Sequence, residues 1–153
     1  LGQEEPPSRP TSCVYFAAPH SPSQTDALLL NGQKTGPALN VAILTNVAPS
    51  YSSNQEALIS AAIPGRYETE VHGEVMDQMK NWFGEQVDTW RHLRTYSIRH
   101  GQPDFQSKMP FRKFNQINST LWICGDHRDT PSIQGAMVSG RRTAESLITT
   151  LKD

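Results

Sequence analysis

This chain has almost no net charge, two cysteines and no long apolar run, and each shortage removes a class of function. Fourteen Lys and Arg against fifteen Asp and Glu leave a net charge of −1, so no global electrostatic pull toward nucleic acid or an anionic membrane operates. No stretch approaches the ~20 apolar residues needed to span a bilayer. Cys13 and Cys124 each sit inside an apolar run, Cys-Val-Tyr-Phe and Trp-Ile-Cys, which predicts two buried free thiols rather than a disulfide. The five histidines, His20, His72, His92, His100 and His127, stand at no metal-ligand spacing with one another or with a cysteine, and no zinc site is expected. Ser139 lacks a Gly-x-Ser-x-Gly elbow and no Ser/His/Asp order stands out, so nucleophilic hydrolysis has no support. There is no internal repeat.

What is present suits one ordinary domain. The 153 residues can bury a real core, although apolar residues make up 36% and mean hydropathy is −0.55. Eleven prolines and ten glycines lie mostly between elements, so the apolar deficit reads as loops. Residues 1–10, with Glu4, Glu5 and three prolines, read as a flexible lead-in and not as a signal or transit peptide. The chain does not start with Met, and an upstream portion is expected.

Four short strands come first. Cys13–Ala18 stops at Pro19-His20-Ser21-Pro22; Asp26–Leu30 ends at Asn31-Gly32, a two-residue hairpin signal; Leu39–Val47 and Leu58–Ile63 follow. Tight spacing predicts an antiparallel sheet. The period then changes: Val71, Val75, Met79 and Trp82 place an amphipathic helix over 68–84, with Thr69 as N-cap and Gly84 at the C-terminal end. His72, in its first turn, is expected to be exposed. Trp90–Ile98 returns to a strand with Trp90, His92, Arg94, Tyr96 and Ile98 on one face. Residues 101–118 read as a long loop, Leu121–Cys124 as a buried strand, and about 132–151 as a helix with a stripe of Ile133, Met137, Gly140, Ala144, Leu147 and Leu151.

The last segment carries the chemistry. An apolar strand ends in Gly125-Asp126, and a helix begins near Ser132 with Gly135, Ala136, Ser139 and Gly140 on one face. Such a helix start offers free N–H groups and a partial positive charge to an anion or an electron-rich ring edge. Small residues let it approach a sheet or a cofactor closely, and Asp126 can accept hydrogen bonds from a ligand hydroxyl. Gly-Asp turns and small-residue faces also serve packing alone, and from these residues by themselves either reading stands.

The run Cys124-Gly125-Asp126, a six-residue gap, then Ile133-Gln134-Gly135-Ala136-Met137-Val138-Ser139-Gly140-Arg141-Arg142-Thr143-Ala144-Glu145 resembles the C-terminal FAD motif of the flavin amine oxidoreductases. That superfamily includes monoamine and polyamine oxidases, protoporphyrinogen oxidase and phytoene desaturases. The resemblance covers 119–152 closely and 12–99 more loosely. It implies an α/β fold (α+β): a mostly antiparallel substrate-domain sheet with a helix, plus the last strand and helix of a Rossmann-like FAD domain. Residues 11–100 would be the C-terminal half of the substrate domain and 119–153 the FAD-binding segment. It further implies that Asp126 bonds the ribityl chain, that Gly125 lies near the pyrophosphate, and that backbone N–H groups of Ile133 and Gln134, with Gly135 and Ala136 behind them, face the pyrimidine edge of the flavin.

No Gly-x-Gly occurs anywhere in the chain, so the superfamily's N-terminal cradle for the ADP half of FAD is absent here. The expectation is the C-terminal fragment of an FAD-dependent oxidoreductase, inactive by itself, whose partners are FAD, a small amine or apolar substrate, and the missing N-terminal portion. A phytoene-desaturase-like parent is slightly preferred. A non-catalytic relative serving as a binding module is the alternative. No catalytic residue is assigned, and no compartment either: a soluble or peripheral intracellular setting, plastid or cytoplasm, goes with the resemblance. Tyr15, Phe16, Tyr51 and Tyr67 read as sheet packing or as lining of an apolar cavity, and Tyr96, Ile98 and His100 as residues nearing the substrate. His127 reads as a solvated turn residue or one over the cofactor's phosphates. Arg141 and Arg142 could reach an anion, but one to two turns into the helix they read by default as surface residues.

Overall fold

The structure, a computed structural model, describes residues 7–65, 70–104 and 112–152. Its elements run β1 (Ser8–Ala18), β2 (Leu29–Leu30), β3 (Asn40–Ile43), α1 (Leu44–Val47), β4 (Ala57–Pro64), α2 (Val71–Phe83), β5 (Arg91–Pro103) and α3 (Ile133–Thr150). The five strands form one sheet in the order β2-β3-β4-β1-β5. The β1–β4, β2–β3 and β3–β4 pairs are antiparallel. The α+β class expected from the sequence is observed. The chain divides into two compact units, Pro10–Arg99 and Leu1–Arg9 with His100–Asp153. No helix among the described residues is long and apolar enough to cross a membrane.

In the Pro10–Arg99 unit, alternation builds the core. Val14, Phe16 and Ala18 of β1 and Ala57, Ile59, Ala61 and Ile63 of β4 turn to one face and are buried. Val71, Val75 and Met79, one stripe of α2, join the same cluster with Val41, Ile43, Val87 and Trp90. Fully burying each such aliphatic side chain stabilises by about 1.5–3 kcal/mol. Helix α2 ends at Gly84, whose N–H bonds the Lys80 carbonyl. Its expected N-cap, Thr69, and Tyr67 lie outside the described residues.

Several elements differ from expectation. Asn31-Gly32 is no two-residue hairpin: β2 and β3 are joined by 31–39, because the Asn31 amide folds across the loop to the Thr35 and Ala38 carbonyls, each at 2.9 Å. The third strand stops at Ile43 and becomes α1. Asn46 binds the Ser23 and Thr25 carbonyls at 2.7 and 2.8 Å, while the Leu58 N–H bonds Thr45 Oγ1. Polar side chains that bond nearby backbone this way compete with strand pairing. Cys13 is half-buried and Cys124 exposed, both free, so only the absence of a disulfide matches the expected thiols.

β5 is longer than expected, reaching Pro103, and its period slips. His92 and Thr95 bond each other at 3.0 Å, and His92 packs edge-on to Phe16 in the core. Tyr96 meets Tyr15, which points to the other face of β1. Residues 92 and 96 therefore do not share a face: one residue too many intervenes, around Arg94, as in a bulge.

His72 is not exposed. Its ring stacks on His92 with centroids 4.3 Å apart and 12° between planes. Burial holds the His92 pKa below its ordinary 6.5, and His72 adds to the effect. A depressed folded pKa means the fold prefers neutral His92. That contribution is complete above pH ~6.5 and drains away as pH falls through the lower folded value. NMR titration of the ring protons should place His92 below 6.5, and thermal stability should fall from pH 7 to pH 5 less steeply in His92→Gln than in the wild type. A normal His92 titration would contradict this account.

Candidate functional site

In the unit of Leu1–Arg9 and His100–Asp153, an apolar segment meets a tight corner. Leu121–Cys124 is not a buried strand: among the described residues it holds a single bridge, Trp122 with Gln116, and the Ile123 N–H bonds the Asn115 carbonyl at 2.8 Å. With so short a partner the segment forms a turn-back rather than a sheet. Trp122 Nε1 is buried there without a hydrogen-bond partner among the described residues.

Gly125 follows at φ +140°, backbone that side-chain-bearing residues rarely adopt. Its N–H donates to Ser139 Oγ at 3.2 Å, and the His127 ring folds over it so closely that a Cβ would sit 2.7 Å from Nδ1. Asp126–Arg128 form a 3-10 turn closed by the Arg128 N–H on the Gly125 carbonyl. The Asp126 carboxylate is 40% exposed and stands 4.0 Å from His127 Nδ1, too far for a hydrogen bond. Among the described residues nothing else occupies it. His127 is half-buried, and burial holds its pKa down, with Arg128 adding and Asp126 opposing. At neutral pH its imidazole is uncharged.

Asp126 and His127 form one wall of an open groove of about 280 Å3. Pro7 and Ser8 and the run His100–Pro103 form the rest. Ser8 Oγ and His100 Nδ1 are hydrogen-bonded at 2.7 Å, Gln102 Nε2 donates to the Pro131 carbonyl at 2.7 Å, and the Asp104 N–H to the Pro7 carbonyl at 2.7 Å. The groove is small against ligand clefts of roughly 300–1,000 Å3, which suits part of a cofactor rather than all of it. Its imidazoles, hydroxyl and uncommitted carboxylate match a polyhydroxyl chain better than an apolar ring.

The start of α3 is capped from within. Ser132 Oγ accepts the Gly135 N–H at 3.0 Å, and the Ala136 N–H bonds the Ser132 carbonyl at 2.9 Å. The N–H groups of Ile133 and Gln134 precede any acceptor the helix can offer. Both residues are exposed, Ile133 to 80%, but neither lines the groove. Gly135 is buried beneath Thr130, whose carbonyl oxygen would lie 1.8 Å from a Cβ; its missing side chain is taken up by the chain's own turn. Ala136 is half-buried beside it.

The stripe expected to anchor α3 faces outward. Met137 and Leu151 are 71% and 77% exposed, while Gly135 and Ser139 are buried and Arg142, Thr143 and Ser146 half-buried. Arg142 is likewise no surface residue: its guanidinium donates to Asp129 Oδ2 at 2.8 Å and to the Lys113 and Arg128 carbonyls. Arg141 does stay on the surface, 3.5 Å from Glu145. Asp129 and Arg142 stand 13 residues apart, so no local spacing in the sequence pairs them.

The fold has a known counterpart. A crystal structure of an oxidoreductase from Methanosarcina mazei superimposes with a TM-score of 0.63 at 15% sequence identity, over 92% of this chain and 35% of that one. This chain has the fold of part of an oxidoreductase. It spans about a third of that protein's length. No protein-family model matches the chain, and no curated protein does.

Proposed function

We propose that the chain is the C-terminal part of an FAD-dependent oxidoreductase, similar to the amine oxidases or phytoene desaturases, that removes a hydride from an amine or an apolar substrate. The observation that carries this is the Gly125–Asp126 corner, where a carboxylate with no hydrogen-bond partner among the described residues opens on a polar groove a few residues ahead of a helix start. The likeness in fold to part of an oxidoreductase supports it.

In this reading Asp126 accepts hydrogen bonds from the ribityl hydroxyls, and the backbone at Gly125 lies beside the pyrophosphate. The N–H groups of Ile133 and Gln134 and the positive end of α3 face the pyrimidine edge of the flavin. FAD supplies the hydride acceptor, and the protein supplies position and field. A preceding part of the same chain holds the ADP half. Gly135 and Ala136 keep the helix start close to the Thr130 turn.

The 153 residues should bind FAD too weakly to stay yellow after desalting, yet titration should show saturable quenching of flavin fluorescence. Asp126→Ala removes a half-exposed charge-assisted hydrogen bond, at the low end of ~1.5–3 kcal/mol, so affinity should fall about tenfold. Unchanged affinity in that variant would remove the corner from the site. No saturation at millimolar FAD would leave the non-catalytic binding module as the better reading.

A further inference from the structure

The sheet of the Pro10–Arg99 unit has a second face, turned away from α2. There Tyr15, Leu58, Leu93, Arg94 and Tyr96 line an open depression of about 340 Å3. The Arg94 guanidinium lies over the Tyr96 ring, 5.0 Å from its centroid. Tyr96 in turn meets Tyr15 edge-on at 5.7 Å and 87°. The slip in β5 produces this grouping, since it brings Leu93 and Tyr96 to one face with Arg94 between them. Arg94 makes no ion pair with any described residue, and no carboxylate belongs to the lining.

The chemistry of these walls is selective. A guanidinium stacked on a tyrosine is held in place by its own protein and keeps its N–H fork for a carboxylate. Two edge-to-face tyrosines and two leucines offer ring faces and aliphatic surface to a flat apolar body. The Tyr15 hydroxyl, whose pKa burial raises, stays protonated. A cationic ligand would meet the like charge of Arg94, and a neutral one would leave the fork unused.

We propose that this depression binds an apolar, ring-bearing carboxylate, with Arg94 at the acid group and Tyr15, Tyr96, Leu58 and Leu93 around the ring. Binding stands on this face alone; that such acids are the substrate class rests on the flavin reading above. The test is NMR titration of the 153-residue chain with naphthalene-2-carboxylate, 2-naphthylmethanol and 2-naphthylmethylamine. The carboxylate should saturate and bind at least tenfold tighter than the alcohol, with the amine weakest. Arg94→Gln should bring the carboxylate to the alcohol's affinity, and Arg94→Lys should keep part of the preference. Arg94 is exposed, so both variants should retain the wild-type circular dichroism and melting temperature. A carboxylate no tighter than the alcohol, an amine of equal affinity, or a preference that survives Arg94→Gln would each overturn the proposal. Acid binding without any FAD binding would leave the site standing and remove only its role in a redox reaction. FAD binding without acid preference would do the reverse.

Discussion

Replacing Arg142 by methionine should cost the Leu1–Arg9 and His100–Asp153 unit about 3–5 kcal/mol, the usual penalty for removing one partner of a buried ion pair. The side chains of Arg142 and Asp129 are only 24% and 10% exposed. Methionine fills the volume but strands the Asp129 charge and leaves the Lys113 and Arg128 carbonyls without their guanidinium donor. Asp129 also accepts the Thr130 N–H at 2.9 Å, so the turn that leads into α3 depends on the same carboxylate. Hydrogen exchange is the suitable readout, because it reports this unit separately from the other. Amides of 133–150 should lose protection in Arg142→Met and lose less in Arg142→Lys. A change below 1 kcal/mol would mean that water substitutes for the pair.

The second large effect lies in the sheet unit. Gln78, 4% exposed on the inner stripe of α2, clamps Ala38 at both ends of its peptide groups. Its Oε1 accepts the Ala38 N–H at 2.8 Å and its Nε2 donates to the Ala38 carbonyl at 2.9 Å. Gln78→Met keeps size and apolar contact while leaving the buried Ala38 N–H unpaired; the Ala38 carbonyl keeps the Asn31 amide at 2.9 Å. At about 1–3 kcal/mol for that orphaned donor, the loss should be about 1–3 kcal/mol in urea unfolding. The 31–39 segment should become the first to exchange. Equal stability of Gln78→Met and wild type would show that the loop finds other partners.

These two residues also mark where sequence reasoning stopped. Apolar alternation in β1 and β4 and the 3.6-residue stripe of α2 were legible, because Val14, Phe16, Ile59, Val75 and Met79 obey their periods and face one core. Ser132 and Gly84 were legible as helix ends for local reasons. Gln78 and Arg142 were not, since their partners lie 40 and 13 residues away and polarity alone suggested surface. Asn31-Gly32 misled because the Asn31 side chain found carbonyls beyond the turn it was expected to form. Leu121–Cys124 misled because, among the described residues, the apolar run finds only the Trp122–Gln116 bridge to pair with. In the candidate site, the Gly-Asp corner and the capped helix start were readable from spacing. The rest of the groove was not, because Ser8 and His100 reach it from the far end of the chain. Arg94 required the slip in β5, which no alternation pattern announces.

Helix α3 turns its small and polar residues inward and its large apolar ones outward, and this reverses the usual map of mutational tolerance. Within this chain, any side chain at Gly135 collides with the Thr130 carbonyl, whereas a charged residue in place of the exposed Met137 or Leu151 stays in solvent. A saturation scan ranked by hydrophobicity would therefore rank Gly135 as tolerant and Met137 and Leu151 as sensitive, the reverse of what their surroundings dictate.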